Sequence, residues 1–262
     1  MSIRNYFLLP ILALAFGLHV TSSAAAPPPA DPPAAAAKTV VLVHGAFADG
    51  SSWNAIVPLL QAKGLKVIVV QNPLTSLADD VQFTRRAINE AKGPVVLVGH
   101  SWAGMVITEA GSDDKVKALV YVAAFAPSVG QTLVDTVKGY PASPGNAHLV
   151  PDSEGFVKLA PEAVGKYFAQ DVPAAQANLI AVSQGALRGK NLEDKVTKAA
   201  WETKPSWYIV AEKDQMIDPT AEREMGKKIK ATVTALPTSH VPMLSRPKDV
   251  ADVIIAAANH IK

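Results

Sequence analysis

From residue 38 onward, short runs of continuously apolar residues alternate with longer amphipathic segments. Continuously apolar runs are typical of strands covered on both faces, and we predict strands at 39–43, 66–70, 94–98, 116–124 and 206–211. The intervening segments have the spacing of amphipathic helices, near 52–62, 77–91 and 102–110. This alternation predicts an α/β fold with a mostly parallel central sheet and helices on both faces.

Turn and capping residues delimit the later elements. Pro219 suits the first turn of a helix capped by Asp218, and Pro247 begins a last helix that extends to about Ile261. Between about 127 and 200 the alternation stops, and the chain has helical pieces, prolines and glycines but no clear apolar strand. We expect this region to be a small helical cap inserted into one domain, 38–262.

The first 37 residues are predicted to lie outside that domain. Arg4, the apolar run 6–20 and the small residues TSSAAA predict a cleaved signal peptide at 1–26, since the run is shorter than the roughly 20 residues that span a bilayer. Residues 27–37, rich in proline and alanine, predict an extended linker. We therefore expect a periplasmic or secreted protein with no stable membrane anchor after cleavage.

Composition narrows the classes of partner. Of the 262 residues, 18% are charged, and the formal net charge is +2. This near-neutral balance, without a basic stripe, argues against nucleic-acid binding, so we expect a small-molecule partner. The absence of cysteine excludes thiol chemistry and cysteine-ligated metals.

The segment VVLVGHSWAGMV places a polar serine between a buried strand and a helix. A serine in such a turn projects its hydroxyl at the carboxyl edge of a parallel sheet, where ligands bind. The crowded turn needs small neighbours, here Gly99, Ala103 and Gly104. This pattern is typical of a nucleophile elbow, G-x-S-x-G, although Ala103 stands here in place of the last glycine. Ser101 is the predicted nucleophile.

An earlier strand ends in VLVHGAF, which has the pattern of an oxyanion loop. A His-Gly pair followed by a small residue offers a backbone N–H to a developing oxyanion, and we predict Ala46 as this donor rather than Phe47. The N–H of Trp102, directly after the nucleophile, is the predicted second donor.

With these motifs, the chain resembles the α/β-hydrolases, and more narrowly the branch of salicylate-binding methyl esterases, hydroxynitrile lyases and related bacterial esterases. The resemblance covers essentially everything from Lys38 onward. It rests on four segments, VLVHGAF, VVLVGHSWAGMV, YIVAEKD and SHVPML. It implies an α/β-hydrolase fold and a serine esterase of the carboxylesterase type, with no metal or organic cofactor.

The resemblance also implies a catalytic triad in the order serine, acid, histidine. Asp214 follows the strand YIVA, where the acid of the family lies, whereas Asp218 is better used as a helix cap. His240, after the strand-like run ATVTALP, matches the catalytic histidine. His44 and His100 are expected to have structural or pocket-shaping roles.

Residues that flank these motifs are candidates for contact with the substrate, a small-molecule ester cleaved through an acyl-enzyme. We predict that Phe47, Phe125 and Met243 line an apolar site together with Trp102, although each could instead pack in the core. The sequence leaves methyl, short-chain acyl and xenobiotic esters and lactones open as substrates.

Other activities of the same fold need other residues. Hydroxynitrile lyases of this branch have a threonine in place of Gly45 and a lysine soon after the catalytic histidine, where this chain has Val241, Pro242 and Met243. A haloalkane dehalogenase needs an aspartate in place of Ser101. A perhydrolase would use the same triad, and a periplasmic binding protein that retains the pocket is the alternative from a different class.

Overall fold

The computed structural model of the chain describes residues 38–261, and the predicted signal peptide (1–26) and linker (27–37) lie outside this range. The strands are β1 (Thr39–Val43), β2 (Lys66–Val70), β3 (Val95–His100), β4 (Val116–Val122), β5 (Leu149–Pro151), β6 (Phe156–Leu159), β7 (Leu187–Arg188), β8 (Ser206–Ala211) and β9 (Thr232–Leu236). The α-helices are α1 (Val57–Gln61), α2 (Leu77–Glu90), α3 (Ala103–Ala110), α4 (Leu133–Thr136), α5 (Pro161–Ala163), α6 (Ala174–Ser183), α7 (Pro219–Lys228), α8 (Pro242–Ser245) and α9 (Pro247–His260). No helix within the described range is long and apolar enough to span a membrane.

Six strands form one parallel sheet in the order β2-β1-β3-β4-β8-β9. Every residue of β1, β3 and β8 is buried, and in β4 only Lys117 is exposed. These four strands are therefore covered on both faces, as their apolar sequences predict. The edge strand β2 differs from the prediction, because four of its five residues are at least partly exposed.

The longer helices lie where the sequence predicts them. Ser76 caps α2 by accepting a hydrogen bond from the N–H of Asp79, and Asp218 caps α7 by accepting from Thr220. The helix predicted at 52–62 is instead a 3₁₀ turn, Gly50–Trp53, followed by the short α1. Pro58 explains the break, since it has no N–H to continue a helix from the preceding turn.

The insertion between β4 and β8 is not purely helical, which corrects the prediction for 127–200. Besides α4, α5 and α6 it contains a three-stranded antiparallel sheet, β5-β6-β7. These strands have only three, four and two residues, too few for a clear apolar pattern. Gly155, with φ +80°, makes the tight turn between β5 and β6.

Backbone strain is concentrated at one edge of the parallel sheet. Phe47, Leu74, Ser101 and Ala123 have positive φ angles between 42° and 60°, which side-chain-bearing residues adopt rarely. Each lies in the loop that follows one of the strands β1 to β4, at its carboxyl end. The loops after β8 and β9 begin at the same edge, because these strands are parallel to the others, so all the predicted catalytic motifs converge there.

Candidate active site

Ser101 occupies a strained turn between β3 and α3. Its φ is +53°, and its carbonyl accepts hydrogen bonds from the N–H groups of Gly104 (2.9 Å) and Phe125 (3.3 Å). A Cβ on Gly99 would lie 2.7 Å from the carbonyl oxygen of Ala103, and one on Gly104 would lie 1.9 Å from that of Phe125. The small residues are therefore needed for the close backbone approach that presents the Ser101 side chain.

The structure brings Ser101, His240 and Asp214 into one hydrogen-bonded chain. The Nε2 of His240 lies 2.8 Å from the Oγ of Ser101, and its Nδ1 lies 2.5 Å from the Oδ2 of Asp214. All three residues are less than 9% exposed. Since the carboxylate of Asp214 accepts from Nδ1–H, Nε2 is the nitrogen that can accept the proton of the serine hydroxyl.

Asp214 is held as an anion by its surroundings. Its Oδ1 accepts the N–H groups of Met216 (2.6 Å) and Ile217 (3.0 Å). Burial opposes ionisation, but the charge of His240 and the hydrogen bonds to this carboxylate together hold the pKa of Asp214 below its ordinary value. Asp218, the other candidate acid, is the N-cap of α7 and lines the cavity beside the site.

The two predicted oxyanion donors lie at the same cavity as Ser101. Within residues 38–261, the N–H groups of Ala46 and Trp102 donate no hydrogen bond. The N–H of Phe47 instead donates to the carbonyl of Gly185 in the cap, at 3.2 Å. Of the two candidates in the first loop, only Ala46 is therefore free to act as a donor.

His44 sets the orientation of the Ala46 amide. Its Nε2 accepts the N–H of Asn72 (2.9 Å), so its Nδ1–H donates to the carbonyl of Gly45 (2.8 Å). The C=O and N–H of a trans peptide point in opposite directions, and this bond therefore turns the Ala46 N–H away from His44. Burial lowers the pKa of His44, in agreement with a neutral ring that both donates and accepts.

Trp102 connects the turn of Ser101 to the cap. Its indole N–H donates to Asp80 Oδ2 at 2.7 Å, and Oδ1 of the same carboxylate accepts the N–H of Leu74 at 2.8 Å. The carbonyl of Leu74 in turn accepts the side-chain amide of Asn191 in the cap, at 3.0 Å. Burial raises the pKa of Asp80 to about 6.

The other histidines between residues 38 and 261 have structural contacts. The Nε2–H of His100 donates to the carbonyl oxygen of His240 at 2.8 Å, which anchors the loop that carries the candidate base. Burial lowers the pKa of His100 to about 3, so its ring is neutral at physiological pH. His148 stacks on Tyr167 in the cap, and His260 packs edge-on against Trp207.

A cavity of about 500 Å³ lies between the catalytic residues and the cap. Ser101 and His240 line it, as do the predicted contacts Phe47 and Phe125. Its other lining residues are mostly apolar and come largely from the cap, among them Leu133, Val137, Tyr140, Leu149, Val157, Leu187, Leu192 and Met216. The expectation for Met243 is corrected, because this side chain is fully buried in the core and does not line the cavity.

Sequence reasoning missed two buried acids beside the site, Asp80 and Glu222. Neither has any exposed surface. Each lies on the buried face of its helix, Asp80 with Leu77, Val81 and Thr84 of α2, and Glu222 with Met225 and Gly226 of α7. An acidic residue on the apolar face of an amphipathic helix is the signal that could have found them.

No cluster of three or more His, Cys, Asp or Glu side chains within the described range is arranged to hold a metal ion. The active-site polar groups instead make hydrogen bonds with one another and with the backbone. The arrangement of these groups is suited to nucleophilic and acid–base chemistry.

Known proteins share this sequence pattern over most of the chain. Residues 40–253 match the sequence model of a family described as the Alpha/beta hydrolase family. A pyrethroid hydrolase from Sphingobium wenxiniae is 28% identical over 244 residues, which are 82% of this chain and 85% of the relative. Methylesterase 8 from Arabidopsis thaliana is 24% identical over 252 residues, which are 84% of this chain and 89% of that protein.

Solved structures share the fold. The crystal structure of a pyrethroid hydrolase from Sphingobium faniae superposes with a TM-score of 0.74 at 24% identity, and the match covers 86% of this chain and 98% of that one. At this level of identity the likeness concerns the architecture, so the chemistry has to be argued from the residues of the site.

Proposed function

Because the chain belongs to the alpha/beta hydrolase family and is a hydrolase of the carboxylesterase type, we propose that it cleaves carboxylic esters of small molecules through an acyl-enzyme intermediate on Ser101. The observation that carries this proposal is the continuous hydrogen-bonded chain from Ser101 through His240 to Asp214, which borders a mostly apolar cavity.

The geometry supports a two-step mechanism. The Oγ of Ser101 attacks the ester carbonyl while its proton passes to Nε2 of His240, and the carboxylate of Asp214 stabilises the resulting imidazolium. The N–H groups of Ala46 and Trp102 stabilise the oxyanion. His240 then protonates the leaving alcohol, and a water molecule activated by the same nitrogen hydrolyses the acyl-enzyme to release the carboxylic acid.

The cavity favours bulky, uncharged esters. Its volume of about 500 Å³ falls within the range of pockets that enclose drug-sized ligands. Apart from His240, its lining contains one basic residue, Lys138, and one acidic residue, Asp218. Large apolar acyl or alcohol groups therefore gain more from this cavity than charged ones, because an unpaired charge would be desolvated there. One relative is named as a pyrethroid hydrolase, which accords with this class.

Space at position 45 disfavours cyanohydrin cleavage. A Cβ on Gly45 would lie 2.7 Å from the Cβ of Ser101 and 2.8 Å from the carbonyl oxygen of His100. The threonine found in hydroxynitrile lyases of this branch would therefore not fit this backbone. Ester hydrolysis is left as the activity that the site supports best.

The test is hydrolysis of p-nitrophenyl esters from acetate to octanoate, with fluorophosphonate labelling in parallel. Ser101→Ala is expected to abolish both turnover and labelling without a change in circular dichroism. Ser112→Ala is the matched control, since Ser112 lies beyond the other end of α3 and its hydroxyl contacts only the Glu109 carbonyl. Turnover by the Ser101→Ala variant at the original rate would refute the mechanism. Absence of turnover and labelling in the unaltered protein would favour the binding-protein alternative.

A further inference from the structure

A second buried carboxyl group lies against Asp214. Glu222, in the first turn of α7, has no exposed surface, and its carboxyl group lies close enough to that of Asp214 for the two to share a hydrogen bond. Its Oε2 also accepts the N–H of Ala211, the last residue of β8, at 2.8 Å. The carbonyl of Ala211 accepts the N–H of Asp214 at 3.1 Å, so Glu222 is held at the turn that carries the acid. Its Oε1 is buried and has no hydrogen-bond donor as a partner among the described residues, which makes it the oxygen available to Asp214. Nothing in the mechanism proposed above uses this group.

Two carboxyl groups can share a hydrogen bond only if one of them carries a proton. Asp214 already accepts three hydrogen bonds, from the N–H groups of Met216 and Ile217 and from His240. These donors stabilise the anion of Asp214. Glu222 accepts one, so the proton between the two carboxyl groups belongs on Glu222.

No cation forms an ion pair with Glu222 among the described residues, and the charge of the adjacent Arg223 lowers the pKa of Glu222 less than burial and the charge of Asp214 raise it. The guanidinium of the adjacent Arg223 is about half exposed and pairs with Glu212 at 2.7 Å. The hydroxyl of Tyr208 donates to the carbonyl of Ala124. An ionised Glu222 would therefore be a buried anion beside the anion of Asp214, which is the arrangement that most favours protonation.

The electrostatic directions agree with this geometry. Burial, the charge of Asp214 and the hydrogen bond between the two side chains raise the pKa of Glu222 well above its ordinary value. The same hydrogen bond helps to lower the pKa of Asp214. Together, the raised pKa of Glu222 and the lowered pKa of Asp214 indicate a neutral carboxylic acid next to a carboxylate.

We propose that Glu222 is a neutral carboxylic acid that donates a hydrogen bond to Asp214 and thereby positions this carboxylate for His240. The inference rests on the function proposed above. Glu222 is a positioning residue: one oxygen fixes the end of β8 through Ala211, and the other holds the catalytic acid. The hydrogen-bonded chain thus has four members, from Ser101 through His240 and Asp214 to Glu222.

Two substitutions at Glu222 distinguish the loss of the hydrogen-bond donor from a change of side-chain volume. Glu222→Leu keeps much of the volume but removes the donor, and it is expected to lower kcat about 10- to 100-fold, the loss of one hydrogen bond to a charged group, with little change in KM. Glu222→Gln retains an N–H donor for Asp214 and an acceptor for Ala211, and it is expected to restore most of that loss. Glu224→Gln is the matched control, because Glu224 lies exposed on α7, 3.9 Å from Lys227.

The pH profile of kcat/KM distinguishes a neutral from an ionised Glu222. Its acidic limb reports protonation of the base in the free enzyme. Under the proposal, Glu222→Gln replaces one neutral group by another and leaves the midpoint of that limb in place, whereas Glu222→Leu moves it to higher pH because Asp214 loses a donor. A midpoint shifted to lower pH in Glu222→Gln would show that a negative charge had been removed, and it would overturn the proposal. Equal kcat in Glu222→Leu and the unaltered protein would overturn the positioning role.

An infrared difference spectrum between the unaltered protein and Glu222→Gln detects the proton on Glu222 directly, and it does not depend on catalysis. At about pH 8, Asp80 is ionised because its pKa is about 6, so the carbonyl stretch of a protonated buried carboxyl group is assigned to Glu222. This band is expected in the unaltered protein and should disappear in Glu222→Gln. Its absence from the unaltered protein would refute the neutral acid. If the band is present but no ester is hydrolysed, the proposed function fails while the assignment of the proton holds.

Discussion

Replacing Asp80 with asparagine is expected to change how the stability of the protein depends on pH. Asp80 has no exposed surface, and burial raises its pKa from the ordinary value of 3.8 to about 6. Asp79 and Asp194 lie nearby and act in the same direction, while the hydrogen bonds from Trp102 and Leu74 offset part of the shift.

The magnitude follows from linkage. As pH rises through the window from 3.8 to about 6, the unfolded chain releases the proton of this carboxyl group before the folded protein does. The free energy of unfolding therefore falls across this window, and the shift of about 2 pKa units corresponds to about 3 kcal/mol. Asparagine cannot titrate, so the Asp80→Asn variant lacks this decrease.

The assay is urea unfolding of both proteins at several pH values between about pH 4 and about pH 7.5. The free energy of unfolding of Asp80→Asn minus that of the unaltered protein is expected to increase by about 3 kcal/mol across this range. The lost bond to Trp102 adds a constant offset, which does not affect the slope. Asp114→Asn, at an exposed position, should show no such trend. A difference that is the same at every pH, or that decreases, would refute the reasoning.

Two further pairs of substitutions test the geometry of the site. Asp214→Asn is expected to lower kcat by about 10⁴-fold, the order seen when a triad aspartate no longer fixes the histidine tautomer. Asp218→Asn retains a good helix cap and should change kcat no more than a few-fold in the same ester assay. A larger loss of kcat in Asp218→Asn than in Asp214→Asn would assign the acid to Asp218. Gly45→Ala is expected to reduce kcat sharply, since its Cβ would lie 2.7 Å from that of Ser101. The same change at Gly64, where the added Cβ meets no atom within 4 Å, should affect only stability. Normal kcat in Gly45→Ala would show that the oxyanion loop can shift.

The fold was largely predictable from the sequence because its central strands are continuously apolar. All six strands of the parallel sheet lie within two residues of the predicted ranges, and the α/β-hydrolase architecture is confirmed. The cap sheet was not predictable, since β7 has only two residues and its partner β6 lies some thirty residues earlier. Such pairing depends on where the core holds both segments and not on local pattern.

The candidate site divides in the same way. Ser101 was predicted because its turn requires small neighbours, whereas Asp214 and His240 were predicted from the positions of the acid and the histidine in the family that the chain resembles. Met243 could not be assigned, since whether a side chain next to the site points to the cavity or to the core depends on the direction of α8. Glu222 needed the tertiary structure as well, because only there does its side chain meet that of Asp214.

The four strained residues at the carboxyl ends of β1 to β4 have a consequence for engineering. Each such conformation raises the free energy of the folded state by about 1–3 kcal/mol, and the buried strands β1, β3 and β4 hold three of the four in place. Thermostable variants are therefore best sought at the opposite, amino-terminal edge of the sheet, where substitution leaves these turns untouched. Substitutions that relax the turns themselves would increase the stability of the fold but lower the catalytic activity.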